Sequence, residues 1–297
     1  MFRMSKQDFD VLCNMIINAV GVEEFKPEWF IKERLSQHSM FKAHMQTTGG
    51  YMNGETKLAM TIRLMAGGSY MDIAALYCCG YLHTNEIFHA TLKEWICNEK
   101  VLKFEGLEYL DNDESMLSNT RDFANTGCHE GILKGVIGSL DGWLVKIRCP
   151  MKRDNIEDTS SFYCRKGFHS INVQAIVSQK KKVLWRSIRC RGAEHDSNAF
   201  KKTDLYKKLL SIGQRLYDKG LYIVGDSAYS IRSFILVPYE NATPQSPEDG
   251  FNYHHSCCRI WVECTFGEID MRWGILWKPL HYPENSTQVV FSLACAK

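Results

Sequence analysis

The chain has 297 residues, 45% of them hydrophobic and 12% aromatic, enough to bury one large core or two smaller ones, which excludes disorder over most of its length. Its net charge of +2 is uneven: residues 142–191 hold twelve Lys and Arg against Asp154, Glu157 and Asp158, a local +9, so the remainder carries −7. The twelve cysteines, with adjacent pairs at Cys78–Cys79 and Cys257–Cys258 and no C-x-x-C, match no disulfide scaffold or zinc module, and no run approaches ~18 apolar residues. The first twenty residues contain acids and no small-residue cleavage site, so a signal peptide is not expected, and reduced thiols in an intracellular protein without a membrane span are. The basic middle would suit a polyanion, although a solvated surface is the commoner meaning of such a run.

From Lys57 to about Glu99 the apolar spacing predicts three short helices, with Leu58, Ile62 and Met65 on the first, Ile73, Leu76 and Tyr77 on the second, and Ile87, Leu92 and Trp95 on the third. Gly67-Gly68 separates the first pair; Gly80, with Thr84 as an N-cap ahead of Glu86, separates the second. The pattern fits both a helix-turn-helix and a plain helical packing subdomain. Residues 101–133, with the acidic stretch Asp111-Asn112-Asp113-Glu114, read as an irregular connector.

The texture then changes. Val136 to Leu140 is a short apolar strand that ends at Asp141-Gly142, and Phe168 to Ser178 and Val183 to Cys190 are two more, joined by a hairpin turn at Gln179–Lys182. A helix over Ser197–Leu210, capped by Asp196 or Ser197, follows. Leu221 to Gly225 is a buried strand ending at Asp226, Phe234 to Val237 is another, and a last helix from about Tyr253 to Arg272 carries Glu263. This order predicts an α/β fold, a ribonuclease-H-like mixed sheet with flanking helices, preceded by an all-helical N-terminal subdomain. The expected division is 1–100 helical, 101–133 connector and 134–297 catalytic.

Asp141 and Asp226 each follow an apolar strand, so one sheet edge could present both carboxylates. They lie 85 residues apart and Glu263 another 37 beyond, so only a fold can gather them. Phosphodiester hydrolysis develops charge on the attacking and leaving oxygens, and two divalent ions about 3.5–4 Å apart stabilise both. Mg²⁺ or Mn²⁺ held by a few carboxylates would serve. On the last helix Arg259, Glu263, Phe266, Gly267 and Asp270 recur at intervals of three and four, so Arg259 could orient Glu263 or hold a phosphate; an ordinary surface ion pair is the bland alternative.

Several blocks carry a family resemblance: G-V-I-G-S-L-D-G (135–142), F-Y-C-R-K-G-F-H-S-I-N-V-Q-A-I-V (162–177), G-A-E-H-D-S (192–197), V-G-D-S-A-Y (224–229) and F-N-Y-H-H-S-C-C-R-I-W-V-E-C-T-F-G (251–267). In this order they resemble the catalytic domain of Harbinger-superfamily DDE transposases, and L-A-M-T-I-R-L-M-A-G-G-S-Y-M-D-I-A (58–74) resembles the family less specifically. The resemblance implies that Asp141, Asp226 and Glu263 form the metal-binding triad of a DNA nuclease or transposase using Mg²⁺ or Mn²⁺. It further implies that Arg165 and Lys166, with Arg259, meet backbone phosphates. His195 and Asp196 fall close enough to assist, with helix capping the preferred role for Asp196, and Tyr229, Asn252 and His255 also match family positions without an assigned chemical step.

Trp143 stands where the family tends to have a small polar residue, and Arg191 where a proline is usual. The chain ends at Ser292–Lys297 inside what resembles the family's last helix, which suggests a C-terminal piece beyond it. The expected partners are DNA, a separate Myb-like DNA-binding protein and further copies of the chain; the expected location is the nucleus, inferred from the substrate because Lys180-Lys181-Lys182 is too short for an import signal. A host-adopted or defective derivative that binds DNA or protein without cutting is the alternative. His254, His255, Cys257, Cys258 and Cys264 crowd one segment, but adjacent ligands on one helix cannot easily close a zinc tetrahedron, and no cysteine lies in a motif that would activate it as a nucleophile.

Overall fold

The computed structural model describes residues 4–21, 52–92, 106–126, 132–151, 156 and 158–280. Trp95 and the proposed truncated last helix lie outside the described residues. The chain divides into two compact units, one of residues 1–103 with 270–296, the other of residues 104–269.

In the first unit, helix α1 spans Lys6–Val20, α2 Gly54–Met65, α3 Tyr70–Leu76 and α4 Tyr81–Ala90. Polar caps set the first three starts: Ser5, Asn53 and Ser69 each accept the backbone N–H three residues on, at 3.0, 2.8 and 3.0 Å. Leu58, Met60, Ile62, Met65, Ile73, Ile87 and Phe88 are buried. Gly67 ends α2 in the left-handed region at φ +101°, a conformation that favours glycine.

Two details differ from the sequence reading. Leu76 is 64% exposed. The short helix α3 buries Ile73 and Ala74, and at 100° per residue Leu76 lies about 110° from the middle of that pair. Thr84 is not a cap but sits one turn inside α4, where its hydroxyl donates to the Gly80 carbonyl at 3.1 Å; Gly80 begins the helix with no side-chain cap.

The second unit opens with a 3-10 turn, Gly106–Leu110, and helix α5, Asp113–Thr126, where a connector was expected. The acidic cluster read as loop is the start of this helix: Asn112 Oδ1 accepts the Ser115 N–H at 3.1 Å, and Asp113 and Glu114 occupy the first turn, where negative charge is favoured. Tyr109, Leu110, Met116 and Phe123 are buried beneath its polar exterior.

The sheet has five strands, β1 Val136–Lys146, β2 Ser170–Val177, β3 Val183–Arg191, β4 Tyr222–Val224 and β5 Ile235–Leu236, in the order β3-β2-β1-β4-β5. The β1–β2 and β2–β3 pairs are antiparallel, and β1–β4 and β4–β5 parallel. This mixed sheet with its helices is consistent with the expected ribonuclease-H-like fold. Strand β1 does not stop at Asp141, because β2 offers partners as far as Lys146 opposite Ser170. The single helix expected over 197–210 is two, α6 Asp196–Lys201 and α7 Asp204–Asp218, because Thr203 caps the second by accepting the Tyr206 N–H at 3.1 Å. Helix α8 spans Pro247–Arg272 and starts earlier than predicted, with proline in its first position and Ser246 Oγ accepting the Asp249 N–H at 3.2 Å. No helix among the described residues is long and apolar enough to cross a membrane.

Candidate metal centre

Asp141 sits in the middle of β1 with Ala175 opposite on β2. One carboxylate oxygen accepts its neighbour Gly142's N–H at 2.8 Å and the other accepts from the Arg259 guanidinium at 3.3 Å. Its side chain is only 16% exposed. Its ionisation is pushed up to about 6, by burial above all and also by Asp226 and Glu263, while the Gly142 N–H and Arg259 act in the opposite direction.

Asp226 lies two residues past β4, where its Oδ1 accepts the Ala228 N–H at 3.0 Å. Burial raises its ionisation too; the Ala228 N–H, Arg259 and Arg165 pull it down, and Asp196 adds to the rise. Glu263, one turn along α8 from Arg259, bonds the same guanidinium through its other terminal nitrogen. Arg259 is fixed in turn through its backbone, whose carbonyl accepts from Ser139 Oγ at 3.4 Å. The fold thus brings Asp141 and Glu263 together on one arginine, with Asp226 inside their electrostatic reach.

Arg165 and Lys166 are exposed, and Arg165 is near enough to lower Asp226. His195, not Asp196, is the N-cap of α6, its Nδ1 accepting the Ser197 N–H at 3.4 Å. Asp196 is the first helical residue and points elsewhere: its Oδ1 accepts from Asn172 at 2.8 Å and from Gln174 at 3.1 Å. The capping role read for Asp196 is therefore corrected, since the turn before it already supplies an acceptor. Asn252 pins the chain after β5 to α8, exchanging hydrogen bonds of 2.8 and 3.0 Å with the Tyr239 backbone. His255 is buried with Nε2 3.1 Å from the Leu236 carbonyl, and burial lowers its basicity, so it serves as a neutral tie between α8 and β5.

Asn172 and Gln174 were not singled out from the sequence, yet both are almost wholly buried, Gln174 opposite Gly142 and Asn172 opposite Leu144. The available signal was two amides spaced two apart in an otherwise apolar strand, which places them on one face.

The donor set fits a divalent cation by its chemistry. Asp141, Asp226 and Glu263 offer hard oxygens, and Asp226 and Glu263 both disfavour the buried charge of Asp141, a cost that a cation relieves. The Arg259 guanidinium provides that positive charge for Asp141 and Glu263 here. As arranged, no group of three or more His, Cys, Asp or Glu side chains among the described residues is positioned to hold a metal ion.

Comparison with known proteins places this geometry in context. The family model described as DDE superfamily endonuclease matches residues 140–296. The Xenopus laevis protein named "Putative nuclease HARBI1" is 28% identical over 166 residues, covering 54% of this chain and 44% of that protein. The Arabidopsis thaliana protein named "Protein ALP1-like" is 27% identical over 124 residues, 37% of this chain and 30% of that protein. The chain thus spans less than half the length of these relatives. No solved structure matches.

Proposed function

We propose that this chain, which belongs to the DDE superfamily endonucleases, cuts DNA phosphodiester bonds with the help of divalent metal ions, as a transposase or a nuclease derived from one. The observation that carries the reading is the gathering of Asp141, Glu263 and Asp226 around Arg259, on a strand, a helix and a strand-end loop of one mixed sheet. Asp141, Asp226 and Glu263 would hold Mg²⁺ or Mn²⁺, and the bound ions would supply a water of lowered pKa and charge stabilisation at the attacking and leaving oxygens. The chain's own contribution is positioning. Asp141 is locked by the Gly142 N–H and Arg259, Asp226 by the Ala228 N–H, and Arg259 holds Glu263 back until a cation competes for it. Exposed Arg165 and Lys166 would bind the phosphate backbone without reading sequence. Helices α2–α4 would add DNA contact in the manner of a helix-turn-helix, with a Myb-like protein as partner and the nucleus as the place of action.

The name of the Xenopus relative, a nuclease, supports the reading. The hold of Arg259 on Glu263 is the observation that favours the second reading, a derivative that binds DNA or protein without cutting. Plasmid nicking decides between them. Purified protein with Mg²⁺ or Mn²⁺ should convert supercoiled plasmid to open circles, and Asp141→Asn, Asp226→Asn and Glu263→Gln should each abolish the conversion. Folded wild type that retains plasmid in gel shifts yet leaves it supercoiled in both metals would establish the second reading.

A further inference from the structure

Residues 160–170, ahead of strand β2, fold into a tight hairpin. Tyr163 and His169 form an antiparallel bridge, the Cys164 N–H donates to the Phe168 carbonyl at 2.9 Å, and the Gly167 N–H donates to the Cys164 carbonyl at 3.0 Å. Gly167 closes the turn at φ +83°, a conformation that favours glycine. The base is anchored by Phe162 and Cys164, 4% and 2% exposed, and by the Ala193 N–H, which donates to the Ser161 carbonyl at 3.0 Å. Tyr163 lies between those two buried residues, so the alternation of extended chain turns it outward, and it is 53% exposed. His169 packs against its ring in a T-shaped contact, centroids 5.2 Å apart, and its hydroxyl lies toward Gly167. The ring is thus oriented without being covered.

Its surroundings are cationic. Arg165 and Lys166 occupy the tip of the hairpin and are exposed. The Ile147 N–H donates to the His169 carbonyl at 2.9 Å and holds the hairpin against the end of β1, where Lys146 and Arg148 are exposed; Lys146 Nζ lies over the Phe168 ring, 4.9 Å from its centroid. The acid just before the hairpin, Asp158, is engaged by the Ser160 hydroxyl and N–H at 2.5 and 3.0 Å. Strands β1 and β4 are parallel, so the end of β1 that holds the hairpin and Asp226 just past β4 share one edge of the sheet. Arg165 is near enough to act on the Asp226 charge. An oriented aromatic ring among cations is the arrangement by which proteins hold single strands, the charges following the phosphates and the ring stacking on a base. Bases stacked inside a duplex present no such face.

We propose that Tyr163 stacks on an unpaired base of the DNA beside the cut, with Arg165 and Lys166 holding the adjoining phosphates, so that the preferred substrate is a strand end or an opened duplex and not an intact helix. The inference rests on the DNA-cleaving reading above.

The test is fluorescence anisotropy of the full chain, in Ca²⁺, with a blunt DNA duplex and with the same duplex carrying a short unpaired tail. Wild type should bind the tailed duplex about ten-fold more tightly. Tyr163→Ala should bind both at the blunt-duplex affinity, and Tyr163→Phe, which keeps the ring, should restore the preference. Arg165→Ala should weaken both DNAs by the same factor and reduce the salt dependence by about one phosphate contact, leaving the preference intact. A tail containing 5-iododeoxyuridine should crosslink to Tyr163 under near-ultraviolet light, and crosslinks confined to other residues would overturn the stacking role. If wild type binds both duplexes alike, or Tyr163→Ala keeps the preference, this inference alone is overturned. Wild type that binds neither DNA overturns the DNA-cleaving reading and this inference with it.

Discussion

Helix α7 and the part of α8 up to Ile269 belong to the same unit and pack by different means. The buried residues of α7 are Leu205, Leu209, Gly213 and Leu216, and these three leucines join the large cluster of Ile137, Leu140, Ile223, Phe234 and Ile235. The buried stripe of α8 mixes Val262, Phe266 and Ile269 with His255, Cys258 and Thr265; Cys258 joins a second, smaller cluster with Phe123, Val136 and Val224, against which Phe251, Cys257 and Trp261 of the same helix pack half-buried. Polar ties supplement it: Arg259 to Asp141, His255 to the Leu236 carbonyl and Asn252 to the Tyr239 backbone. A dry stripe supplies stability that neither pH nor ions alter, whereas a mixed stripe makes the helix that carries Glu263 responsive to charge.

The largest effect should fall on the dry side. Leu209 is fully buried, and Leu209→Ala should lower unfolding free energy by about 3 kcal/mol through lost transfer energy and a residual cavity. Cys258→Ala under α8 removes a single sulfur and should cost about 1 kcal/mol. Urea unfolding of both variants tests the contrast, and equal losses would break it.

Next in size is the pH response of Asp141. Its folded ionisation is raised from 3.8 to about 6, so between those values the folded state holds a proton that the unfolded state has released. The associated stability is present below about pH 4 and is lost as pH rises through 6. The difference corresponds to about 3 kcal/mol at most. At pH 7 without divalent ions, Asp141→Asn should therefore be more stable than wild type by about 2 kcal/mol, and the advantage should vanish at pH 4. Urea midpoints at the two pH values give the answer; a variant less stable at pH 7 would mean that the Arg259 pairing outweighs burial.

The same contrast explains what was legible in the sequence. Periodicity and glycine breaks outlined α2–α4 because those signals are local. Strand β1 was cut short because Asp141-Gly142 looks like a turn, and only its pairing with β2, some thirty residues on, carries it to Lys146. Residues 111–114 read as loop because acids that begin a helix and acids that fill a loop have the same composition. At the site, the pairing of Arg259 with Glu263 could be read from a spacing of four, but the bond from Arg259 to Asp141 spans 118 residues. Asp196 was misread as a cap because a short polar residue before a helix usually is one, while its partners Asn172 and Gln174 lie on another strand.

A smaller loss tests local design within the dry side. Thr203 separates α6 from α7, and its hydroxyl both accepts the Tyr206 N–H and donates to the Phe200 carbonyl at 2.7 Å. Thr203→Ala should cost about 1 kcal/mol in urea unfolding, the ordinary value of a lost cap. A loss as large as that of Leu209→Ala would mean that the helix break, more than the leucine stripe, anchors α7.

The smallest expected effect bears on how α8 is held. Lys181, at φ +60° in the turn between β2 and β3, pairs with Glu268 on α8. Both side chains remain partly open to water, 29% and 42% exposed, so screening and the entropy of holding two long side chains offset most of the attraction. Glu268→Gln should leave the thermal midpoint unchanged within error at physiological ionic strength. A clear fall in low salt that disappears in 1 M salt would show that peripheral charge, and not only the mixed stripe, positions the helix. Glu263 would then be placed by ionic contacts at two levels, and the deficit in metal affinity of the Glu268→Gln variant relative to wild type should shrink with added salt alongside its deficit in stability.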